Sequence, residues 1–336
     1  MRSHRLREQS FPAGRIAALA VLGAALATCG GTGFDRASIV RGLRILAVQK
    51  DPAGPQAGEP VKLTMLYWDG KRSQSQIRPI QITWFGDCIN PEGDLYYACF
   101  ENIEDWQHGA VLGATGDHGS TYATSIPQQI LKPIPPEQGA PYGLVFVFFA
   151  ACAGQIRPIA PENNPNTLPV GCFGPDDQLL GPEDFVPGYT SIYVYGDRRN
   201  ANPIVGNLLL DGGPIGSATG PAANPPRIAR CTSSDSAGCP AHPIKVEIDP
   251  SSAEPDPGAV AVDGTQLREQ LWVSFYATGG DFQSEVRLVN DARAGWNDDN
   301  GTGWRVPSTP GPVRLWGIVH DNRGGVAWTE GSVVVE

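Results

Sequence analysis

Short runs in which every second residue is apolar, each closed by Gly or Pro, recur along this chain and restrict it to sheets. Val61, Leu63, Met65 and Tyr67 share one face of such a run, with Lys62 and Thr64 opposite. Leu271, Val273, Phe275 and Ala277 do the same, as do Ile80, Ile82 and Trp84. Ile192 and Val194 share a face within Ser191–Tyr195, Val313, Leu315, Gly317 and Val319 alternate later, and a closing strand runs through Val333 to Val335. A period of two is the signature of a half-buried strand. Leu144 to Phe149 is apolar on both faces, which predicts a central, fully covered strand. Helix signals are nearly absent; a brief turn around Glu101 to His108 is the best of them. Gly and Pro make up 72 of 336 residues while 41% of the chain stays apolar, so the excess predicts a turn-rich β protein and not disorder. The fold class expected is all-β, built of sandwiches.

Two segments open alike. Leu43 to Val48 is followed by Asp51-Pro52 and a turn ending at Gly58-Glu59-Pro60; Ile244 to Ile248 is followed by Asp249-Pro250 and a turn ending at Gly258. An alternating run follows each. The pattern predicts two domains: 39–215 and 227–336, joined by a linker at 216–226 within the Gly/Ala/Pro-rich stretch 212–226. The first is large for one sandwich. Its excess lies in two insertions, from Cys88 to Pro141 and from Cys152 to about Pro187, expected to decorate one end.

Each half resembles an immunoglobulin-like module of extracytoplasmic bacterial proteins. Trp84, on the third candidate strand, sits where such modules often bury a tryptophan, and Pro312 to Gly325 resembles their final strand pair. The usual inter-sheet disulfide is not evident, because Cys88 and Cys152 fall at strand ends. The whole chain also resembles uncharacterised lipoproteins of the myxobacterial group, a likeness that implies no activity.

The N-terminus carries an address. Arg2, Arg5, Arg7 and Arg15 precede an apolar run from Ile16 to Thr28, which is too short for a stable span of a bilayer about 30 Å thick. Leu26-Ala27-Thr28-Cys29 resembles a bacterial lipobox, with Thr28 departing from the usual Gly, Ala or Ser. That resemblance implies removal of residues 1–28 and acylation of Cys29; an uncleaved apolar helix, or cleavage by ordinary signal peptidase, is the alternative. Two or more acyl chains hold a protein to a membrane firmly. Gly30 stands where an inner-membrane retention Asp would be, which by the same resemblance favours the outer membrane. Residues 29–38 form a short tether: nine extended residues after the cysteine reach about 30 Å at most.

Without residues 1–28, which hold four arginines and Glu8, 21 basic and 34 acidic residues remain, a formal charge of −13. Such a surface repels phosphate backbones, arguing against nucleic-acid partners. Six cysteines remain beside Cys29, an even set that reads as disulfides in an exported chain. Fifteen pairings are possible and sequence cannot choose among them. The layout suggests three local staples: Cys88 with Cys99, Cys152 with Cys172, and Cys231 with Cys239. Zinc at Cys231, Cys239 and His242 is the alternative there, and it lacks a fourth ligand.

Candidate chemistry is sparse. Asp117-His118-Gly119-Ser120 has the residue types of a hydrolase triad, but neighbours in a Gly-rich loop rarely achieve triad geometry. No Gly-x-Ser-x-Gly elbow, His-Glu-x-x-His or phosphate loop is present, so the chain is expected not to be an enzyme. Asn297-Asp298-Asp299-Asn300-Gly301 offers calcium two carboxylates, Asp298 and Asp299, but Asn, Asp and Gly are equally ordinary turn formers. Tyr96, Tyr97, Phe100 and Trp106 cluster with acidic residues in the first insertion, and Trp296 and Trp304 flank the acidic loop. Exposed, such rings bind proteins or stack on sugars; packed, they form small cores under the loops. The expected function is a lipid-anchored envelope protein acting by adhesion, surface-complex assembly or structural support. A carbohydrate-binding module is the alternative, distinguished by whether exposed aromatics form a flat row.

Overall fold

The computed structural model describes residues 36–72, 77–100, 117–133, 140–159, 170–233 and 238–336. Residues 37–336 form one compact unit. Cys29, Trp106 and the turn expected at Glu101–His108 lie outside the described residues.

The first sandwich is made by β1 (Leu43–Asp51), β2 (Pro60–Asp69), β3 (Gln81–Ile89), β4 (Thr121–Ser125) and β5 (Tyr142–Cys152). A hairpin, β6 (Gln155–Pro158) with β7 (Val170–Phe173), precedes the last strand, β8 (Phe185–Tyr195). One sheet has the order β1-β2-β4 and the other β3-β5-β8. The chain therefore crosses between sheets after β2, β3 and β4, the Greek-key order of immunoglobulin-like sandwiches. Val61, Leu63 and Met65 meet Ile82, Trp84, Val145, Val147 and Ile192 between the sheets. Trp84 is buried between Tyr122 and Phe149, and its indole N–H donates to the Gly119 carbonyl at 3.1 Å. As its two-sided apolar sequence demands, β5 is central and buried on both faces.

Its outer face explains the insertions. Phe85, Leu144, Phe146 and Phe148 pack there with Ile156 and Val170 around disulfides Cys88–Cys99 and Cys152–Cys172. Among the described residues, the start of the first insertion and the β6–β7 part of the second thus form a third layer over the sheet, where the sequence suggested decoration of one end. Strand β4, also within the first insertion, belongs to the sandwich itself. An aromatic-rich sheet face needs a cover, and these two loops supply it.

The second sandwich is built on one continuous sheet, with a short hairpin beside it. Its strands are β9 (Val205–Leu210), β10 (Gly213–Ser217), β11 (Gly220–Pro221), β12 (Arg227–Ile228), β13 (Ala241–Ile248), β14 (Pro255–Val260), β15 (Gln266–Arg268) and β16 (Leu271–Ala277). They continue with β17 (Asp281–Phe282), β18 (Val286–Asp291), β19 (Gly295–Trp296), β20 (Thr302–Arg305), β21 (Gly311–Asp321) and β22 (Val326–Val335). The order β17-β20-β13-β9-β10-β22-β21-β16-β18-β19 curls around a single core; β14 and β15 form a separate hairpin. The two arms β9-β13-β20 and β16-β21-β22 repeat the immunoglobulin-like order, and β10 bridges them. At the core Gly317 allows close packing, since a Cβ there would lie 2.2 Å from a Val246 methyl.

Two organisational expectations change. The segment 216–226 is not a linker: β10 pairs with both β9 and β22, and Ala222 N–H donates to Ile215. Strand pairing puts β9 and β10 in the second sheet, so the sandwiches are joined by residues 196–204. Gly and Pro there mark a tight hairpin and bulge, a composition that a linker shares. At the other end, Ile39 bridges Ala277 in parallel, so residues 38–40 are tied to the second sandwich before β1 begins. The similar openings also prove inequivalent. β1 and β2 pair as neighbours, whereas β13 pairs with β9 and β20, and β16 with β18 and β21. Local alternation encodes a strand but not its partner.

The sandwiches meet face to face. Leu46, Ala47, Leu66 and Trp68 on the outer side of β1 and β2 pack on Trp316, Ile318, Val326 and Trp328. A polar lock borders them. Gln49 donates to the Val326 carbonyl at 2.8 Å, and Asn202 accepts from Val326 N–H at 2.9 Å and donates to the Lys50 carbonyl at 2.6 Å. Buried Asn200 donates to both oxygens of buried Asp321, at 3.1 and 3.2 Å. Burial lowers the Lys50 ammonium to about 8, with Asp321 opposing the shift.

Candidate interaction surface

The cysteines pair as their layout suggested, and Cys231 with Cys239 is a disulfide and not half of a zinc site. His242 instead places Nδ1 2.7 Å from Asp211. Disulfides belong to oxidising compartments, so the folded part faces an extracellular or envelope environment. Among the described residues no helix is long and apolar enough to cross a membrane.

The triad-like loop is structural. Asp117 accepts from the N–H groups of Ile82 and Gly119 at 3.1 and 3.0 Å, and His118 Nδ1 accepts from Trp84 N–H at 3.2 Å. Ser120 gives its carbonyl to Met65. These groups latch the turn before β4 onto β3 and β2.

The acidic loop near 297–301 is likewise tied by its own turn chemistry. Asn297 accepts from Asp299 N–H at 3.1 Å and donates to the Leu288 carbonyl at 3.1 Å. Arg287 lies 3.0 Å from the Asp299 carboxylate, and Lys245 donates to the Asp298 carbonyl at 2.8 Å. Two cations therefore stand where calcium would need oxygens alone. Among the described residues no group of three or more His, Cys, Asp or Glu side chains is placed to hold a metal.

The aromatic candidates separate. Trp304 is fully buried in the second core, with its N–H on the Gly279 carbonyl at 3.1 Å, and Trp296 packs half-buried against the same core. They are packing residues because both flank strand pairs that close that core. Tyr96 and Tyr97 are each 40% exposed, on a 3-10 turn over Tyr96–Phe100 that the Cys88–Cys99 bridge ties to β3. The bridge holds Tyr96 stacked on Tyr189 of β8, with centroids 4.7 Å apart.

Sequence reading missed the partners of these two tyrosines. On β8 the even-numbered Ile192 and Val194 point inward, so Tyr189, Tyr193 and Tyr195 point outward beside Tyr142 of β5. Tyr193 stacks on Tyr195 at 6.2 Å, Tyr142 lies 6.1 Å from Tyr195, and the Arg198 guanidinium sits 4.7 Å over Tyr195. The signal was present in Tyr189-Thr190-Ser191-Ile192-Tyr193-Val194-Tyr195, whose second face carries the tyrosines. Asp94 rims the surface. Its carboxyl lies below the usual carboxylate range because Lys132, 2.7 Å away, and the Tyr142 hydroxyl bond to it.

This surface offers ring edges and hydroxyls more than open faces. Tyr96 and Tyr189 cover each other, and Tyr195 is covered by Tyr193 and Arg198. Sugar stacking requires an open face, whereas a protein partner uses amphipathic tyrosines in any orientation.

No family model matches the chain, and no curated protein does. Among solved structures it is similar to the native conformation of E. coli alpha-2-macroglobulin, at 11% identity and a TM-score of 0.23, over 88% of this chain and 17% of that one. It is similar also to the N-terminal eight Ig domains of Down Syndrome Cell Adhesion Molecule, at 9% identity and a TM-score of 0.18, over 88% of this chain and 24% of that one. The chain thus spans less than a quarter of either. Likeness at these scores carries no argument, and the fold rests on the strand order above.

Proposed function

We propose that this chain is a non-catalytic interaction protein of the bacterial cell envelope, anchored through lipid on Cys29, that docks a protein partner on the tyrosine surface of its first sandwich. The observation that carries the reading is the group Tyr96, Tyr97, Tyr189 and Tyr193, each at least 37% exposed, on a disulfide-braced sheet face. Tyrosine brings contact area at little cost in side-chain entropy, which suits it to such anchors. The basic leader, the apolar run ending at Cys29 and the three disulfides support an exported, anchored chain, and Gly30 supports the outer membrane as its destination. Asp117 and His118 are engaged with backbone, which supports a role without catalysis.

The test is binding of the purified full chain to isolated envelopes of its own organism, compared with Tyr96→Ala and Tyr193→Ala variants. Loss of about tenfold in affinity per variant is expected, the scale of a modest hot spot. Unchanged binding by both variants, or inhibition by soluble glycans alone, would overturn the reading. Intact mass of the native protein checks the anchor: a free thiol at Cys29 on a chain that keeps Met1 would refute it.

A further inference from the structure

We infer that the cleft between the two sandwiches is a binding site for a small polycarboxylate, independent of the tyrosine surface. The cleft has a volume of about 830 Å³. Trp68, Arg72 and Ile77 line it from the first sandwich, and Pro225, Pro312 and Arg314 from the second. Concave sites of this size, at the seam between domains, are the usual setting of small-ligand sites.

The charges give the ligand its sign. Arg72 and Arg314 lie 5.2 and 5.4 Å from the centroid of the Trp68 ring, so one indole holds two cations. Among the described residues neither guanidinium forms an ion pair, although the chain as a whole carries a formal charge of −10. Neighbouring Arg78 shows the contrast: it grips Asp69 at 2.6 Å and Asp184 at 2.7 Å. Glu330, in the adjoining recess of about 310 Å³, pairs with neither cation. Two like charges on one ring repel, and a ligand bringing a carboxylate to each would relieve that repulsion.

The chemistry of the donors narrows the class. Guanidinium meets carboxylate through two parallel hydrogen bonds, a planar match that adds geometry to charge. Thr278 and Ser332 contribute hydroxyls at the cleft, while Pro225, Pro312 and Val333 offer apolar wall to a carbon skeleton. An inorganic anion would use the charges and leave that wall unused. The platform is also fixed in place, because Trp68 packs edge to face on buried Trp316 at 5.2 Å across the interface of the sandwiches.

Titration calorimetry of the full chain in detergent with citrate, at constant ionic strength, tests this. Saturable binding is expected, weakened about tenfold or more in Arg314→Gln, the scale of losing one charged hydrogen-bonded pair. Arg72 is exposed, so Arg72→Gln keeps the test valid if the Arg314 variant misfolds. Sulfate at equal charge should neither bind saturably nor compete. Absence of saturable citrate binding, retention of full affinity in both variants, or equal competition by sulfate would each overturn the proposal.

Discussion

The two sandwiches share a strand order and differ in how their sheets are held. In the first, two separate three-stranded sheets face each other, and the outer face of one is roofed by loops braced with two disulfides. In the second, backbone hydrogen bonds run without a break from β17 to β19, and its one disulfide closes a short loop outside the core. Cooperative backbone pairing does in the second what covalent bridges do in the first. Short separate sheets leave more edge and more uncovered face, and small or divided cores are where disulfides contribute most.

Breaking the shared interface should have the largest effect. Trp316 is fully buried between the sandwiches, so Trp316→Ala should cost about 3–5 kcal/mol, the range for truncating a large core ring. Calorimetry should show one transition in the unaltered chain and two in the variant. A single transition in Trp316→Ala would mean that the lock of Asn200, Asn202 and Gln49 couples the sandwiches by itself. Next in size is the brace of the first sandwich. The Cys152→Ala/Cys172→Ala pair opens a loop spanning 20 residues, worth about 3 kcal/mol in the chain-entropy account. Cys231→Ala/Cys239→Ala opens a span of 8 and should cost less. An equal or greater loss from the second pair would remove the distinction drawn between the two regions.

Strand identity was legible in the sequence, and partnership was not. Val61, Leu63 and Met65 declared an inward face, yet Leu66 and Trp68 on the other face show that β2 is covered twice. Trp316 and Ile318 gave the same hint on β21, interleaved with Leu315 and Val319. Such two-faced runs mark a strand between layers but do not say which layer covers it, since side-chain period carries no address. The disulfides were readable because short sequence separation makes the nearest pairing geometrically easy. The tyrosine surface was half readable. Tyr96 and Tyr97 stood out in an insertion, while Tyr189, Tyr193 and Tyr195 hid on the face of a strand read only for its core side. Trp304 shows the converse, a ring beside an acidic loop for which the sequence left packing and binding open and which the fold turns inward.

The ends of β16 and β21 carry opposing titrations that should nearly mask each other. Burial pushes the Glu269 carboxyl from 4.5 up to about 7 despite its contact with Arg323, so its contribution is complete below about pH 4.5 and lost as pH rises to 7. Burial holds His320, stacked on Trp272, down at about 4 from 6.5, so its contribution is complete above about pH 6.5 and lost as pH falls to 4. The unaltered second sandwich should therefore show a shallow stability profile between pH 4.5 and 6.5. Glu269→Gln should leave a rise with pH, and His320→Phe a fall. Denaturant melts across that window check both slopes, and parallel profiles for the two variants would contradict the assignment.

The smallest effects belong to the loop that looked most like a metal site, and they contrast how the two sandwiches fix their loops. The first uses sulfur bridges, whereas residues 297–301 of the second use Asn297 as a side-chain scaffold for the backbone. Asp299 is 89% exposed, and its pair with Arg287 is of the surface kind, worth between about zero and 1 kcal/mol. Asn297 instead accepts from Asp299 N–H and donates to the Leu288 carbonyl, so its removal leaves backbone groups to find water. Asn297→Ala should therefore cost about 1 kcal/mol, more than Asp298→Asn or Asp299→Asn, each within about 0.5 kcal/mol of the unaltered chain. Millimolar calcium should leave all four melting curves in place. A calcium-dependent rise that vanished in the two aspartate variants would reverse this ranking and restore the carboxylates as ligands.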